Sequence, residues 1–156
     1  MGKKLIKITS DHAAFKTKQE MAQILTNEGY EVEILGAQSD EIPYSYAEAG
    51  IEFANIYLND KEHDDIKYIA LCGSGIGISI ALNRYKHIRA ARVTNVNDAK
   101  LAKLHNNANI LVMGGRIMTT ENAIEMFHEW EKTEFEGGRH IPRINKIDEI
   151  DEDIIL

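Results

Sequence analysis

The chain has 156 residues, of which 44% are hydrophobic and 28% are charged, and its formal net charge is −7. This size and composition are typical of one globular domain over residues 1–156, and the negative charge argues against a nucleic-acid-binding protein, which usually presents a basic face. No run approaches the roughly 20 apolar residues of a membrane span, and no secretory signal is predicted at the start. The single cysteine fits a reducing, cytoplasmic compartment.

Apolar residues recur in a pattern that predicts strands alternating with helices. The predicted strands cover residues 5–9, 30–35, 68–72, 88–93 and 109–113. The predicted helices cover residues 14–28, 46–58, 77–85, 97–104 and 120–132, and residues 144–156 form a last helix from about Asn145 with an acidic tail. This alternation implies right-handed crossovers and a parallel sheet. The predicted fold class is therefore α/β, a three-layer Rossmann-like fold with a five-stranded parallel sheet and helices on both faces.

The expected ligand site lies beyond the carboxyl ends of the strands, where open parallel sheets bind ligands. Asp11 or Ser10 can cap the helix that follows the first strand, whereas His12 is left to contact an anion or exchange a proton. The turns that reach this edge are Ser10-Asp11-His12, Gly36-Ala37, Cys72-Gly73-Ser74, Thr94-Asn95 and Gly114-Gly115-Arg116.

Three glycines, Gly73, Gly75 and Gly77, separate the third strand from the third helix. Glycine permits close backbone approach, and N–H groups at a helix start suit a phosphate or a developing oxyanion. The turn lacks the Gly-Lys-Ser/Thr ending of a P-loop. It also lacks the G-x-G-x-x-G spacing and the downstream acidic residue of a dinucleotide site. By itself it fits a plain tight turn equally well.

Cys72 directly precedes these glycines. A thiol at a strand end, beside backbone N–H groups, can become a reactive thiolate. Free cysteine is also one of the most frequently buried residue types, and on its own Cys72 fits a structural role better.

Several basic side chains stand out in this acidic chain. Arg116 follows the last strand and faces the expected cleft, while Arg139 and Arg143 form a second cluster. Arginine suits bidentate phosphate binding, although each of them alone also fits an ion-paired loop. His105 precedes the last strand, at the opposite end of the sheet, so it reaches the site only from a neighbouring subunit. No spacing in the chain predicts a metal site.

Five separated motifs resemble, in residue types and order, the type B ribose-5-phosphate isomerases, whose superfamily includes the galactose-6-phosphate isomerase subunits. The resemblance runs from about Lys4 to Arg143. It implies an aldose–ketose isomerase that interconverts ribose 5-phosphate and ribulose 5-phosphate through a cis-enediolate, without metal or cofactor. The motifs are Ser10-Asp11-His12-Ala13, Cys72-Gly73-Ser74-Gly75-Ile76-Gly77-Ile78-Ser79, His105-Asn106, Gly114-Gly115-Arg116 and Glu136-Gly137-Gly138-Arg139-His140.

The resemblance also implies roles for individual residues. Cys72 would be the base that moves a proton between C1 and C2, and Ser74 with the amides of Gly73 to Gly77 would stabilise the enediolate oxygen. His105 would help to open the sugar ring, with Asp11 close to the sugar oxygens. The remaining implied substrate contacts, which include a phosphate site of one histidine and three arginines, are His12, Tyr46, Gly75, Asn106, Arg116, Arg139 and Arg143.

In this family a second subunit completes the site, so the resemblance implies a homodimer or homotetramer with the site at the interface. One loop, residues 41–47, departs from the family pattern because its proline is shifted by one position and an aspartate is absent. Tyr46 rather than Tyr44 most closely matches the tyrosine near the sugar. This departure leaves open another phosphosugar, such as galactose or allose 6-phosphate or a tetrose phosphate. A non-catalytic phosphosugar-binding protein is the remaining alternative.

Overall fold

Five parallel strands form one sheet in the order β2-β1-β3-β5-β4 in the computed structural model, which describes residues 4–150. The strands are β1 (Leu5–Ser10), β2 (Glu31–Ile34), β3 (Ile66–Cys72), β4 (Ala90–Arg92) and β5 (Ile110–Gly114). The α-helices are α1 (Phe15–Asn27), α2 (Tyr46–Asn59), α3 (Ile76–Leu82), α4 (Val96–Leu104), α5 (Thr120–Lys132) and α6 (Ile141–Asp148). Short 3₁₀ turns lie at His63–Asp65 and Gly138–His140. Within residues 4–150, no helix is long and apolar enough to cross a membrane.

Helices cover both faces of the sheet, as predicted. Side chains alternate between the faces of a strand, so Ile69 and Leu71 of β3 pack with α1, α4 and α5. Tyr68, Ala70 and Cys72 of the same strand pack with α2 and α3 on the other face. A central strand buried on both faces carries little polar character, which explains why residues 68–72 of β3 are buried and uncharged. The three-layer α/β prediction is confirmed.

The predicted boundaries of α3 and β4 are too wide. Helix α3 ends at Leu82 rather than at Tyr85, and β4 has three residues, Ala90–Arg92. The side chain of Asn83 explains both differences: its Oδ1 accepts a hydrogen bond from the Ala90 N–H (2.8 Å) and its Nδ2 donates to the Ala90 carbonyl (2.9 Å). Because β4 pairs with β5 alone, this amide covers the free edge of the sheet.

The last helix also differs from its prediction. Helix α6 begins at Ile141 rather than at about Asn145. Pro142 lies in the first turn, where a missing N–H group costs no helical hydrogen bond. The end of the predicted acidic tail, residues 151–156, lies outside the described residues.

A buried lysine fixes the turn after β2. Lys18 of α1 has no exposed surface, and its Nζ donates to the carbonyls of Leu35 (2.7 Å) and Ala37 (2.5 Å). Burial lowers the pKa of Lys18 to about 8, against the opposing effects of Asp11 and Glu52. The lysine therefore links α1 to the backbone that follows β2.

We expect Lys18→Met to lower the free energy of unfolding by about 1–3 kcal/mol, because one buried and one partly buried carbonyl lose their donor while the apolar stem of the side chain is kept. Urea unfolding at neutral pH measures this loss. Lys16→Met is the matched control, since Lys16 is an exposed lysine on the same helix. Equal stability of the two variants would contradict a structural role for Lys18.

Candidate active site

A cleft of about 760 Å³ opens beyond the carboxyl ends of β1, β3 and β5. This is the edge at which the strand pattern predicts a ligand site. Polar and basic side chains lie at its base, and isoleucines form part of its wall. The lining residues are Asp11, His12, Ala13, Tyr46, Cys72, Gly73, Ser74, Ile76, Gly77, Ile80, Arg116 and Ile117.

Cys72 lies at the end of β3 with its side chain 3% exposed. The backbone N–H of Gly75 donates a hydrogen bond to its Sγ at 3.2 Å. Gly75 adopts φ +81°, and a Cβ at that position would lie 3.0 Å from the Met113 carbonyl carbon. Glycine is therefore required there, and its conformation directs a donor at the sulfur, where it can compensate negative charge.

Neighbouring backbone fixes the position of Ser74. Its Oγ accepts a hydrogen bond from the Ile76 N–H (3.1 Å), and its carbonyl accepts one from Arg92 Nε (2.8 Å). Gly114 of β5 lies so close that a Cβ would stand 2.6 Å from the Ser74 carbonyl. Sequence reasoning missed Arg92, although an arginine at a strand end was a usable signal.

The structure distinguishes the two candidate tyrosines. Tyr46 lines the cleft, and a Cβ on Gly77 would lie 2.8 Å from its ring, so the ring lies directly on the glycine turn. Tyr44 lines a different cavity, and its hydroxyl donates to Glu52 at 2.8 Å. Burial and the Glu52 carboxylate raise the pKa of Tyr44 to about 12.

Asp11 and His12 are held by the main chain. Asp11 Oδ1 accepts a hydrogen bond from the Ala14 N–H at 3.0 Å, in the turn that precedes α1. The N-cap of α1 is Ala14, and no side-chain hydrogen bond caps it, so the predicted capping of this helix by Ser10 or Asp11 is wrong. His12 Nδ1 lies 3.1 Å from both the N–H and the carbonyl of Tyr44. That carbonyl already accepts from the His12 N–H, so we assign the proton of the neutral ring to Nε2. Nε2–H is then available to a ligand.

Arg116 reaches the cleft from the turn after β5. Its N–H donates to the Gly73 carbonyl at 3.0 Å, and the Gly115 N–H donates to the Cys72 carbonyl at 2.9 Å. These bonds continue the alignment of β3 with β5, in which Cys72 is paired with Gly114. The guanidinium therefore stands beside the glycine turn and gives the cleft a fixed positive charge.

The other predicted site residues do not line this cleft in the described chain. His105 ends α4, just before the amino end of β5, and the Glu136 N–H bonds to the Leu104 carbonyl at 3.0 Å. The length of β5 alone, roughly 13 Å at about 3.3 Å per residue, separates the two ends of the sheet. The group at the amino end contains His105, Asn106, Arg139 and Arg143.

Two further side chains at the amino end, Glu136 and His140, were given no role by sequence reasoning. His105, Glu136 and His140 each offer one atom that could ligate a metal ion, and the three atoms lie within 4.8 Å of one another. The long sequence separation of His105 from His140 hid this cluster, although Glu136 and His140 stand four residues apart in the same Glu-Gly-Gly-Arg-His motif.

Residues 6–147 match a family model described as Ribose/Galactose Isomerase. The chain belongs to this family. Ribose-5-phosphate isomerase B of Escherichia coli K12 is 32% identical over 152 residues, which cover 96% of this chain and 97% of that protein. The family resemblance found in the sequence is confirmed.

Solved structures give the same result. A ribose 5-phosphate isomerase from Thermotoga maritima matches with a TM-score of 0.87 and 42% identity, covering 94% of this chain and 98% of that one. Ribose-5-phosphate isomerase B from Mycoplasma genitalium, solved with bound ribulose 5-phosphate, matches with a TM-score of 0.85 and 33% identity, covering 92% and 93%.

In this family member, we expect Gly75→Ala to be costlier than Gly29→Ala. Both glycines have positive φ, so each substitution should cost about 1–2 kcal/mol of backbone strain. A methyl group at position 29 meets nothing within 4 Å, whereas one at position 75 meets the Met113–Gly114 backbone. That overpacking should add at least about 1 kcal/mol. Chemical denaturation of both variants provides the comparison, and equal losses would show that the turn yields without cost.

Proposed function

We propose that this chain is an isomerase that interconverts ribose 5-phosphate and ribulose 5-phosphate through a cis-enediolate. The observation that carries the proposal is the Cys72 sulfur, held by the Gly75 N–H at the base of a cleft that also contains Ser74 and Arg116. The Mycoplasma genitalium relative with bound ribulose 5-phosphate supports the choice of substrate. In this proposal the protein acts in the cytoplasm.

Cys72 is the proposed general base. As a thiolate, it removes the proton from C2 of the open-chain aldose, and negative charge develops on O1 of the resulting enediolate. The thiol then returns the proton to C1, while O1 gains a proton and O2 loses one to become the ketone. Ser74 Oγ and those amides of the Gly73 to Gly77 turn that do not already bond Cys72 Sγ or Ser74 Oγ stabilise the charge that develops, so they favour the transition state over the ground state.

The rest of the site handles the phosphate and the sugar ring. His12 Nε2–H and the Arg116 guanidinium bind the phosphate from within the cleft, since both are hydrogen-bond donors and the guanidinium is also positively charged. Asp11 and Tyr46 border the sugar oxygens. These four residues and Cys72 come from one end of one chain.

The second half of the proposed site comes from another copy of the chain. His105, which opens the sugar ring, lies at the opposite end of its own sheet, as do Asn106, Arg139 and Arg143. We infer a two-fold homodimer in which that end of each chain faces the other chain's cleft; a homotetramer would contain two such dimers.

Exposed apolar side chains at both ends support this assembly. Ile76, Ile80 and Ile117 line the cleft, and they are 49%, 61% and 51% exposed. Ile141 and Ile147 of α6, which follows Arg139 in the chain, are 46% and 51% exposed. Large apolar side chains grouped around polar residues are typical of a surface that a partner covers.

Purified protein should convert ribose 5-phosphate to ribulose 5-phosphate, and Cys72→Ala should lower kcat by about a thousandfold or more, because proton transfer loses its base. Far-ultraviolet circular dichroism should stay unchanged, since alanine fits the volume left by the buried thiol. Near-normal turnover in this variant would exclude Cys72 as the base.

The shared site predicts complementation between two inactive variants. Cys72→Ala and His105→Ala damage different halves, so a mixed dimer retains one intact site. Random exchange of equal amounts gives half mixed dimers, hence about a quarter of wild-type activity. The assay compares kcat before and after subunit exchange, with each variant alone as the control. No recovery after demonstrated exchange would contradict a site shared between chains.

A different phosphosugar is the second candidate, and residues 41–47 favour it because this loop carries Tyr46 to the cleft and departs from the family pattern. A panel of pentose, hexose and tetrose phosphates, ranked by kcat/KM, distinguishes the two. Ribose 5-phosphate should rank first. Ligand binding without entry of solvent deuterium at C1 or C2 would instead indicate a phosphosugar-binding protein without catalysis.

A further inference from the structure

Glu136 and His140 belong to the cluster at the amino end of the sheet, but the proposed reaction gives them no role. His140 is 5% exposed, and its Nε2 has no hydrogen-bond partner among the described residues. Its ring stacks on that of His105, with centroids 4.5 Å apart and planes inclined by 19°. A buried, unbonded imidazole against a proposed catalytic histidine requires an explanation.

Glu136 connects this stack to the proposed phosphate site. Its Oε1 accepts a hydrogen bond from Arg139 Nη1 at 3.0 Å. Its Oε2 lies 3.7 Å from His140 Nε2 and 3.9 Å from His105 Nε2. One carboxylate therefore faces both imidazoles and also orients the arginine.

The charges around His140 favour its neutral form. Burial, the Arg139 guanidinium and the adjacent His105 lower the pKa of His140 below that of a free imidazole, and the Glu136 carboxylate only partly opposes them. A neutral ring can lie flat on His105 without repelling a positive charge there. The surroundings of His140 thus suit a supporting surface better than a second acid.

A metal ion is the obvious alternative, because two histidines and one carboxylate are zinc ligands. The stacked geometry disfavours it. Imidazole lone pairs lie in the ring plane, so those of two nearly parallel rings run side by side instead of meeting at one ion. In addition, Arg139 already neutralises part of the Glu136 charge.

We propose that His140 is a positioning residue for His105, which it holds in one plane by stacking, with Glu136 aligning His105 and Arg139 together. The side chain of His105 is 36% exposed, and no hydrogen bond to another described residue fixes its ring. The stack, together with the Glu136 carboxylate 3.9 Å from Nε2, therefore limits its rotation. This inference rests on the proposed function, in which His105 opens the sugar ring.

The two pentose phosphates separate ring opening from proton transfer. Ribose 5-phosphate is a furanose closed through O4, so it must open before isomerisation. Ribulose 5-phosphate is acyclic, because the O5 that would close its ring carries the phosphate. Enediolate formation from ribulose 5-phosphate, detected as solvent deuterium at C1, therefore needs Cys72 but not ring opening.

The experiment compares His140→Ala with His140→Phe in the full chain. Alanine removes the flat ring, and we expect kcat/KM for ribose 5-phosphate to fall at least about tenfold, since misorientation of a catalytic group is costly. The rate at which solvent deuterium enters C1 of ribulose 5-phosphate should stay within about twofold of the wild-type rate. Phenylalanine restores the flat surface and loses no hydrogen bond, so kcat/KM should return to within about threefold of wild type.

His128→Ala is the matched control, because His128 is bonded to Glu28 and lines no part of the cleft; both rates should remain at wild-type values. If His140→Ala does not fold, His140→Leu, which fills the volume without a flat ring, takes its place. Unchanged kcat/KM in the alanine variant would overturn the positioning role.

Other outcomes also count against it. An equal fall of both rates would indicate general structural damage, and a phenylalanine variant as slow as alanine would exclude stacking. Stoichiometric zinc in the purified wild type that is lost with His140 would assign the cluster to a metal. A wild-type protein inactive on both sugars would refute the proposed function itself, which is a distinguishable result.

Discussion

The common direction of the five strands determines where each polar side chain of this protein lies. All carboxyl ends meet at one edge of the sheet, so the turns after β1, β3 and β5 bring Asp11, Cys72 and Arg116 to one cleft. The same rule sends a residue that precedes a strand, such as His105 before β5, to the far edge. The common strand direction therefore explains both why the cleft residues lie together and why His105 lies far from them.

Close contact between backbones builds the base of the cleft. Strands β3 and β5 are aligned so that Cys72 is paired with Gly114, and the chain beyond each strand continues to bond to the other. Side chains at positions 75 and 114 would collide with backbone atoms. The N–H of Gly75 is therefore fixed against the Cys72 sulfur before any ligand arrives, which is the kind of preorganisation that lowers a catalytic barrier.

Much of this arrangement could be predicted from local sequence. The apolar run of β3 and the glycines after it are local signals, and they located the cleft, the glycine turn and Cys72 within it. What the sequence did not predict depends on contacts between distant segments. Asn83 closes the edge of β4 by bonding to Ala90, and Arg92 holds the Ser74 carbonyl. No periodic pattern encodes such pairs.

The stack of His105 on His140 is a further example, since it joins the end of α4 to the turn before α6. Histidine spacing along the chain gave no indication of it. Tyr44 and Tyr46 show the opposite case. The sequence named both candidates, but the packing of the Tyr46 ring on Gly77 and the bond from Tyr44 to Glu52 distinguish them.

The placement of the two residue groups at opposite ends of one chain has a genetic consequence if each site uses both. When a chain with a defect at one end pairs with a normal chain, one of the two sites stays intact, so such an allele would be largely recessive. A chain with defects at both ends would inactivate both sites of every dimer it enters, and its allele would be dominant. The same separation would let duplicated gene copies each lose a different half while the sheet that supports both remains unchanged.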